Sequence, residues 1–132
     1  MRRGADGLMQ VLLVTSRDSG RWVIPKGWPW LNLSDHLSAA EEAWEEAGVR
    51  GRTAPRSIGS FTYDKIGKSG RRTLEVLVYV LEVTDEAEQW PEARQRRRDW
   101  FSPLAAMELV AEPGLKTLLK ALDANTLDAL SA

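Results

Sequence analysis

The sequence predicts a single α/β or α+β domain, in which a helix is inserted after the second strand of a mixed β-sheet. Two apolar segments, Leu8 to Thr15 and Arg21 to Pro25, are separated by turn-forming residues and predict a β-hairpin. A helical pattern follows in Leu37 to Ala47, and strand-type alternation returns in Thr73 to Thr84. The 132 residues contain no repeat and no linker, so one domain is expected over residues 1–132.

The elements can be placed in chain order. Ser34 or Asp35 is expected to cap the helix at its start, and Gly48 to end it. After the helix, the pattern predicts a strand in Thr53 to Tyr63, interrupted by Pro55 and Gly59, and then a basic loop in Asp64 to Arg72. Two further strands are expected, in Thr73 to Thr84 and in Arg94 to Phe101. The last elements are helices in Pro103 to Leu109 and Gly114 to Leu122.

The composition excludes several kinds of site. Without cysteine there can be no disulfide, no thiolate catalysis and no cysteine-ligated zinc. The single histidine, His36, excludes a multi-histidine metal site. A bound metal would therefore have oxygen ligands, which favours magnesium, manganese or calcium.

Charge and hydropathy give no reason to expect a nucleic-acid or membrane partner. The formal net charge is -1, so no global field attracts polyanions. The longest apolar stretches, such as Val76 to Leu81, are too short to span a bilayer, and the first seven residues lack the apolar core of a signal peptide. A cytoplasmic location is expected by default.

Three carboxylates share one face of the predicted helix. At about 100° per residue, Glu45 and Glu46 lie within about 60° of Glu42. The opposite face is predicted to be apolar and to contain Leu37, Ala40, Trp44 and Ala47.

Such a cluster is usually a solvated acidic face. Like charges at these spacings nevertheless cost about 0.2–0.5 kcal/mol per pair, and no Lys or Arg compensates them on this face. The arrangement therefore favours binding of a hard divalent cation.

The segment Gly27 to Val49 resembles the Nudix box, G-x5-E-x7-R-E-U-x-E-E-x-G-U, in which U is a bulky aliphatic residue. The positions in register are Gly27, Glu42, Ala43, Glu45, Glu46, Gly48 and Val49. The preceding Trp22 to Gly27 is similar to the strand and loop that lead into the box. Val11 to Arg17, Trp90 and Arg98 to Phe101 resemble the diphosphoinositol polyphosphate and diadenosine polyphosphate hydrolase branch of that family.

The chain departs from the box at three positions. Leu33 stands where the box has its first Glu, and Glu41 stands where it has Arg. Ala43 is small for the aliphatic position. The missing Arg normally braces the helix carboxylates, but the three glutamates assigned to metal are retained, so activity is expected.

The resemblance implies a Nudix fold and metal-dependent hydrolysis of a phosphoanhydride bond in a nucleoside-diphosphate-type substrate, such as a diadenosine polyphosphate or a diphosphoinositol polyphosphate. Glu42, Glu45 and Glu46 would hold Mg²⁺ or Mn²⁺. The general base would be Glu45 or Glu46, with Glu75 a weaker candidate. The expected substrate-binding residues are Ser16, Arg17, Lys26, Gly27 and Arg72.

Other conspicuous side chains have alternative interpretations. Trp28 and Trp30 could flank a base or sugar, or cover the edge of the sheet. Lys65, Lys68, Arg71 and Arg72 form a loop that suits a polyanion or is simply a flexible basic tip. Trp44, Trp100 and Phe101 are expected to pack in the core, and Arg96 to Arg98 to be partly solvated.

Two further alternatives concern function and assembly. The chain could be a Nudix-fold binding module that has lost its chemistry through Leu33 and Glu41, or an unrelated interaction domain with an acidic helix. The expected partner is a small phosphorylated molecule, and the protein is expected to be a monomer or a homodimer. Relatives usually have a strand before the turn formed by Arg2 to Gly7, and a neighbouring chain could fill that position.

Overall fold

A computed structural model describes residues 1–125 as three helices and eight strands, and it confirms the α+β class. Residues 126–132 of the predicted domain lie outside the described part. The strands are β1 (Arg2–Arg3), β2 (Met9–Thr15), β3 (Trp22–Val23), β4 (Val49–Thr53), β5 (Gly59–Gly67), β6 (Gly70–Val78), β7 (Leu81–Glu86) and β8 (Arg98–Phe101). The helices are α1 (Asp35–Ala47), α2 (Pro103–Leu109) and α3 (Pro113–Asn125).

Strand β2 organises the molecule. It pairs with β1, β3 and β8 in a four-stranded sheet, while β4–β7 and β5–β6 form two separate pairs. All of these pairs are antiparallel. The single mixed sheet expected from the sequence is therefore divided into three sheets in the described part of the chain.

The two faces of β2 belong to two different cores, because alternate side chains of a strand point to opposite faces. Val11 and Leu13 pack with Phe61 and with apolar residues of α2 and α3. Leu12 and Val14 pack with Ala43, Ala47 and Val49, on the side of α1 and β4. The sheet thus lies between α1 and the α2–α3 pair.

Helix α1 buries a different face from the one predicted. Its buried residues are Ser38, Ala43, Glu46 and Ala47, whereas Leu37 is 44% exposed. Ala43 and Ala47 are small enough to let the helix approach β2 closely, and Trp44 instead packs beneath the guanidinium of Arg50, 4.4 Å from the ring centroid. This rotation carries Glu46 inward.

The β5–β6 hairpin is more regular than the sequence suggested. The segment Asp64 to Arg72, predicted as a loop, continues the strand ladder to the Gly67–Gly70 pair, where Gly70 has φ 107°. The Thr73 hydroxyl group and the Arg71 guanidinium group both donate hydrogen bonds to the Asp64 carboxylate, and these bonds stabilise this end of the hairpin. The expected Thr73 to Thr84 strand is divided into β6 and β7.

The last predicted strand begins later than expected. Strand β8 starts at Arg98, because the residues before it form turns. In these turns the Ala93 N–H donates to the Trp90 carbonyl, and the Gln95 N–H donates to the Glu92 carbonyl. Pro103 to Leu109 is a helix as predicted, and α3 extends the predicted Gly114 to Leu122 at both ends. None of the described helices is long and apolar enough to cross a membrane.

Candidate active site

A cavity of about 450 Å³ opens between the β3–α1 loop and helix α1. Carboxylates and cations line it together: Glu42, Glu46 and Glu92 with Arg17, Lys26 and Arg96, and the loop residues Gly27, Trp28, Pro29 and Trp30 complete the wall. Cations of this kind can bind phosphate oxygens, and carboxylates can bind a hard metal ion. The cavity therefore brings together the two kinds of charged side chain that the sequence predicted for a metal and phosphate site.

Glu46 is the buried acid of the site, with 5% of its surface exposed. Burial and a hydrogen bond with Glu42 raise the pKa of Glu46 to about 8, although Arg96 acts in the opposite direction. The guanidinium Nη2 of Arg96 lies 3.4 Å from Glu46 Oε1. Glu46 is thus a carboxyl group whose protonation changes near neutral pH.

Glu42 is confined between the loop and Glu46. The indole Nε1 of Trp30 donates to Glu42 Oε1 over 2.9 Å. A Cβ atom built on Gly27 would lie 2.5 Å from Glu42 Cδ, so only glycine allows the loop backbone to approach this closely.

Glu45 has a different position from its two neighbours. It does not line the cavity, and its backbone carbonyl accepts a hydrogen bond from Glu92. Among residues 1–125, no three His, Cys, Asp or Glu side chains are already arranged to hold a metal ion. The structure brings Glu42 and Glu46 together and leaves Glu45 apart.

Glu42 and Glu46 nevertheless fit a divalent cation. Two carboxyl groups meet where Gly27 leaves room for them, one of them is buried, and the donors are all oxygen atoms. A divalent cation beside Glu46 would stabilise the ionised form of this buried carboxyl group.

The predicted phosphate ligands are only partly brought together. Arg17, Lys26 and Gly27 line the cavity. Ser16 Oγ accepts from the N–H groups of Asp18 and Ser19, which gives it a role in the turn after β2. Arg72 is exposed on β6, opposite Lys65, and does not line the cavity.

No protein-family model matches the chain. Nudix hydrolase 21, chloroplastic, of Arabidopsis thaliana is 32% identical over 123 residues, which cover 91% of this chain and 60% of that protein. Diphosphoinositol polyphosphate phosphohydrolase 3-beta of Bos taurus is 36% identical over 104 residues, covering 76% of this chain and 60% of that protein.

The chain belongs to the Nudix hydrolase family.

Two further comparisons agree with this assignment. Nudix hydrolase 12, mitochondrial, of Arabidopsis thaliana is 37% identical over 110 residues, with 76% of this chain and 52% of that protein covered. The crystal structure of C. elegans Ap4A hydrolase has the same fold, with a TM-score of 0.62 at 19% identity over 93% of this chain and 89% of that one. The chain spans between half and about three-fifths of the length of the curated relatives named here.

The departures from the Nudix box at Glu41 and Leu33 do not line the cavity. Glu41 pairs with Arg50, whose Nη1 lies 3.6 Å from Glu41 Oε1, and neither side chain lines the cavity. Leu33 is also absent from its wall. The positively charged partner of Glu46 is therefore Arg96, a residue that lies outside the Nudix box in the sequence.

The sequence did not identify Arg96 or Glu92 as site residues. Arg96 was expected to be partly solvated, but its side chain is only 8% exposed and contacts Glu46, Glu92 Oε1 and the Thr15 carbonyl oxygen. The run Arg96-Arg97-Arg98 gives no sign of which member turns inward. The backbone of Arg97 is held by hydrogen bonds with Thr15 just before β8, which leaves the Arg97 side chain exposed between two partly buried neighbours.

Trp90 and Arg98, which suggested a substrate branch, hold the end of α1 instead. Trp90 Nε1 donates to the Glu46 carbonyl over 3.0 Å, and Arg98 Nη1 donates to the Ala47 carbonyl over 2.8 Å. These bonds satisfy carbonyl groups that a helix terminus leaves unpaired. The resemblance to this branch, which the similarity to diphosphoinositol polyphosphate phosphohydrolase 3-beta confirms, thus includes residues that support the end of the helix.

Proposed function

We propose that this Nudix protein hydrolyses a phosphoanhydride bond in a small phosphorylated substrate. A divalent cation would be held by Glu42 and Glu46, and Glu45 would complete its set of ligands. The observation that carries the proposal is the cavity in which Glu42 and Glu46 face Arg17, Lys26 and Arg96. The family membership supports the same reaction type. A cytoplasmic location remains a prediction, since the names of two relatives refer to the chloroplast and the mitochondrion.

The cavity residues have complementary tasks in this reaction. Arg17 and Lys26 would bind the phosphate oxygens and orient the scissile anhydride across the mouth of the cavity. A bound Mg²⁺ or Mn²⁺ would neutralise the phosphate charge and lower the pKa of water. Trp28 and Pro29 line the outer wall and would limit access of solvent.

Glu46 is the better candidate for the general base. Its carboxyl group lines the cavity, and its pKa of about 8 allows it to accept a proton near neutral pH. Glu45 lies outside the cavity wall, so it is proposed as a metal ligand that would reach the cation after a local change of its side-chain position. Glu75 is exposed and accepts a hydrogen bond from Ser60 Oγ, so it is not proposed as the base.

The substrate class is proposed from the relatives and from charge. A diadenosine polyphosphate or a diphosphoinositol polyphosphate presents several phosphates to Arg17, Lys26 and Arg96, as the names of the related hydrolases suggest. The alternative is a binding module without turnover. The outward-facing Glu41 and the lack of a ready three-carboxylate group among the described residues favour that alternative.

A substrate panel tests the proposal. Phosphate or nucleotide release would be measured with diadenosine polyphosphates, diphosphoinositol polyphosphates, nucleoside diphosphate sugars and dNTPs, in Mg²⁺ or Mn²⁺ and in EDTA. Turnover that EDTA abolishes, and that Glu42→Gln and Glu46→Gln reduce together, is the expected result. Binding of these compounds without any turnover would support the binding module instead.

A further inference from the structure

Trp30 links the β3–α1 loop to helix α1 through two hydrogen bonds. Its backbone N–H donates to Ser38 Oγ, and its indole Nε1–H donates to Glu42 Oε1, each over 2.9 Å. Ser38 and Glu42 are separated by four residues, so they lie on the same face of α1, one turn apart. One loop residue is thereby held at two successive turns of the helix that carries the carboxylates.

The first of these bonds fixes the position of the loop. Ser38 is 5% exposed, so its hydroxyl group is held within the structure, where water does not compete for it. The Leu33 N–H also bonds to the Trp30 carbonyl, which continues the turn toward the start of α1. The indole ring is thus attached to a loop that is itself anchored.

The second bond fixes the Glu42 carboxylate. Gly27 approaches this group on one side, and Trp30 donates to one of its oxygen atoms on the other. Because the indole N–H is neutral, it orients the carboxylate without neutralising its charge. An arginine at the same place would offset the negative charge that a divalent cation requires.

This link stands where the chain departs from the Nudix box. Glu41 replaces the box arginine and pairs outward with Arg50, and Leu33 replaces the first box glutamate. The bracing that the box arginine would supply is therefore absent at position 41. Trp30 supplies a donor to Glu42 from the same loop–helix unit.

We propose that Trp30 is a positioning residue that holds the Glu42 carboxylate in the orientation needed for a divalent cation, in a chain that lacks the bracing arginine of the box. The proposal rests on the metal role proposed for Glu42. Outer hydrogen bonds to a ligating carboxylate typically account for about 10- to 100-fold in metal affinity. Trp30 would act on metal affinity through Glu42, without itself contacting the substrate phosphates.

The test compares Trp30→Phe with Trp28→Phe in the full chain without substrate. Phenylalanine keeps an aromatic ring and removes only the N–H donor. Trp28 lies in the same loop, is 66% exposed and makes no side-chain hydrogen bond in the described structure, so it is the matched control for metal affinity. Mn²⁺ affinity would be measured by the electron paramagnetic resonance signal of the free ion.

The expected result is an Mn²⁺ affinity at least about tenfold weaker in Trp30→Phe and unchanged in Trp28→Phe. Thermal unfolding in EDTA would show whether the variants remain folded. In the wild-type protein, the indole N–H resonance assigned by its absence in Trp30→Phe should shift when Mg²⁺ is added.

Three outcomes would overturn the proposal, and they differ in what else they overturn. Equal Mn²⁺ affinity in wild type and Trp30→Phe would refute the role of Trp30 alone. An equal loss in both tryptophan variants would show a general effect of the loop. Absence of Mn²⁺ binding in the wild type, together with EDTA-insensitive turnover, would refute the proposed metal function as well.

Discussion

The guanidinium of Arg96 lies 3.4 Å from Glu46 Oε1, and both side chains are less than a tenth exposed. Breaking a buried pair from one side leaves the remaining charge without compensation, which costs about 3–5 kcal/mol. Glu46 can instead take up a proton, because its pKa is already raised to about 8. The stability lost when Arg96 is replaced therefore also depends on its other two contacts, with Glu92 and with the Thr15 carbonyl group.

We predict that Arg96→Met lowers the free energy of unfolding by about 3 kcal/mol, because the Glu92 carboxylate and the Thr15 carbonyl both lose their partner. Urea unfolding in EDTA measures this change. Arg97→Met is the matched control, because Arg97 is the exposed neighbour in the same run, and it should change stability by less than about 0.5 kcal/mol. Equal effects of the two substitutions would contradict the assignment of Arg96 as the buried partner.

Glu46 should make the metal-free protein less stable as the pH rises. Its folded-state pKa is about 8 against a reference value of 4.5, so between these values folding takes up a proton. Stability from this group is present at low pH and decreases as the pH rises through the window from 4.5 to 8. The charged groups facing it are Arg96, Glu42 and Glu92, and the first of these reduces the effect.

The measurement is the difference between wild type and Glu46→Gln, by urea unfolding in EDTA across this pH window. The difference is needed because the buried Met1 amine has a pKa lowered to about 5 from 8.0, mainly by desolvation, and contributes the opposite slope. Glu46→Gln removes one titration and keeps the other. Parallel stability curves for the two proteins would contradict the raised pKa.

Gly27→Ala should disturb the site without unfolding the protein. The added Cβ would meet the Glu42 carboxyl group at 2.5–2.7 Å, and that group is the end of a flexible side chain that can move away. We expect Mn²⁺ affinity to fall by about 10- to 100-fold, with a stability change below about 1 kcal/mol. Gly67→Ala is the control, since its Cβ would meet nothing within 4 Å. Unchanged Mn²⁺ affinity in Gly27→Ala would separate Glu42 from the metal.

Arg17→Gln should raise KM more than it lowers kcat. Arg17 lines the cavity and is more than half exposed, so it can bind phosphate without supporting the core. The rise should be larger for substrates with more phosphates, since more negative charge is left uncompensated. Arg72→Gln provides the contrast, because Arg72 lies on β6 outside the cavity wall. A larger rise in KM from Arg72→Gln would mean that the hairpin reaches the substrate.

Much of the framework could be predicted because it depends on local pattern. Gly48 ends α1 in the left-handed conformation at φ 68°, as its position after the helical pattern indicated. Gly27, Glu42 and Glu46 come together because the loop–helix segment is continuous in sequence. The same reasoning failed for the buried face of α1, where close packing favoured Ala43 over the larger Leu37.

The missing parts of the site depend on contacts distant in sequence. Arg96 reaches Glu46 because the residues just before β8 are bonded to Thr15 at the end of β2. Trp30 looked equivalent to Trp28, and what separates them is the direction of one indole N–H toward Glu42. Neither relationship has a signature in spacing or composition, since both are set by tertiary packing.

The alternation of β2 gives the molecule two independently adjustable layers. Leu12 and Val14 hold the helix that carries the carboxylates, while Val11 and Leu13 hold α2, α3 and, through Phe61, the long hairpin. A change in the hairpin can reach the first layer through this strand, and it can reach the cavity through Tyr63, whose ring centroid lies 4.8 Å from Lys26 Nζ. Replacement of the hairpin beyond Tyr63 by one of another length would therefore be a rational route to a new substrate range, with the packing of the helix that carries Glu42 and Glu46 left intact.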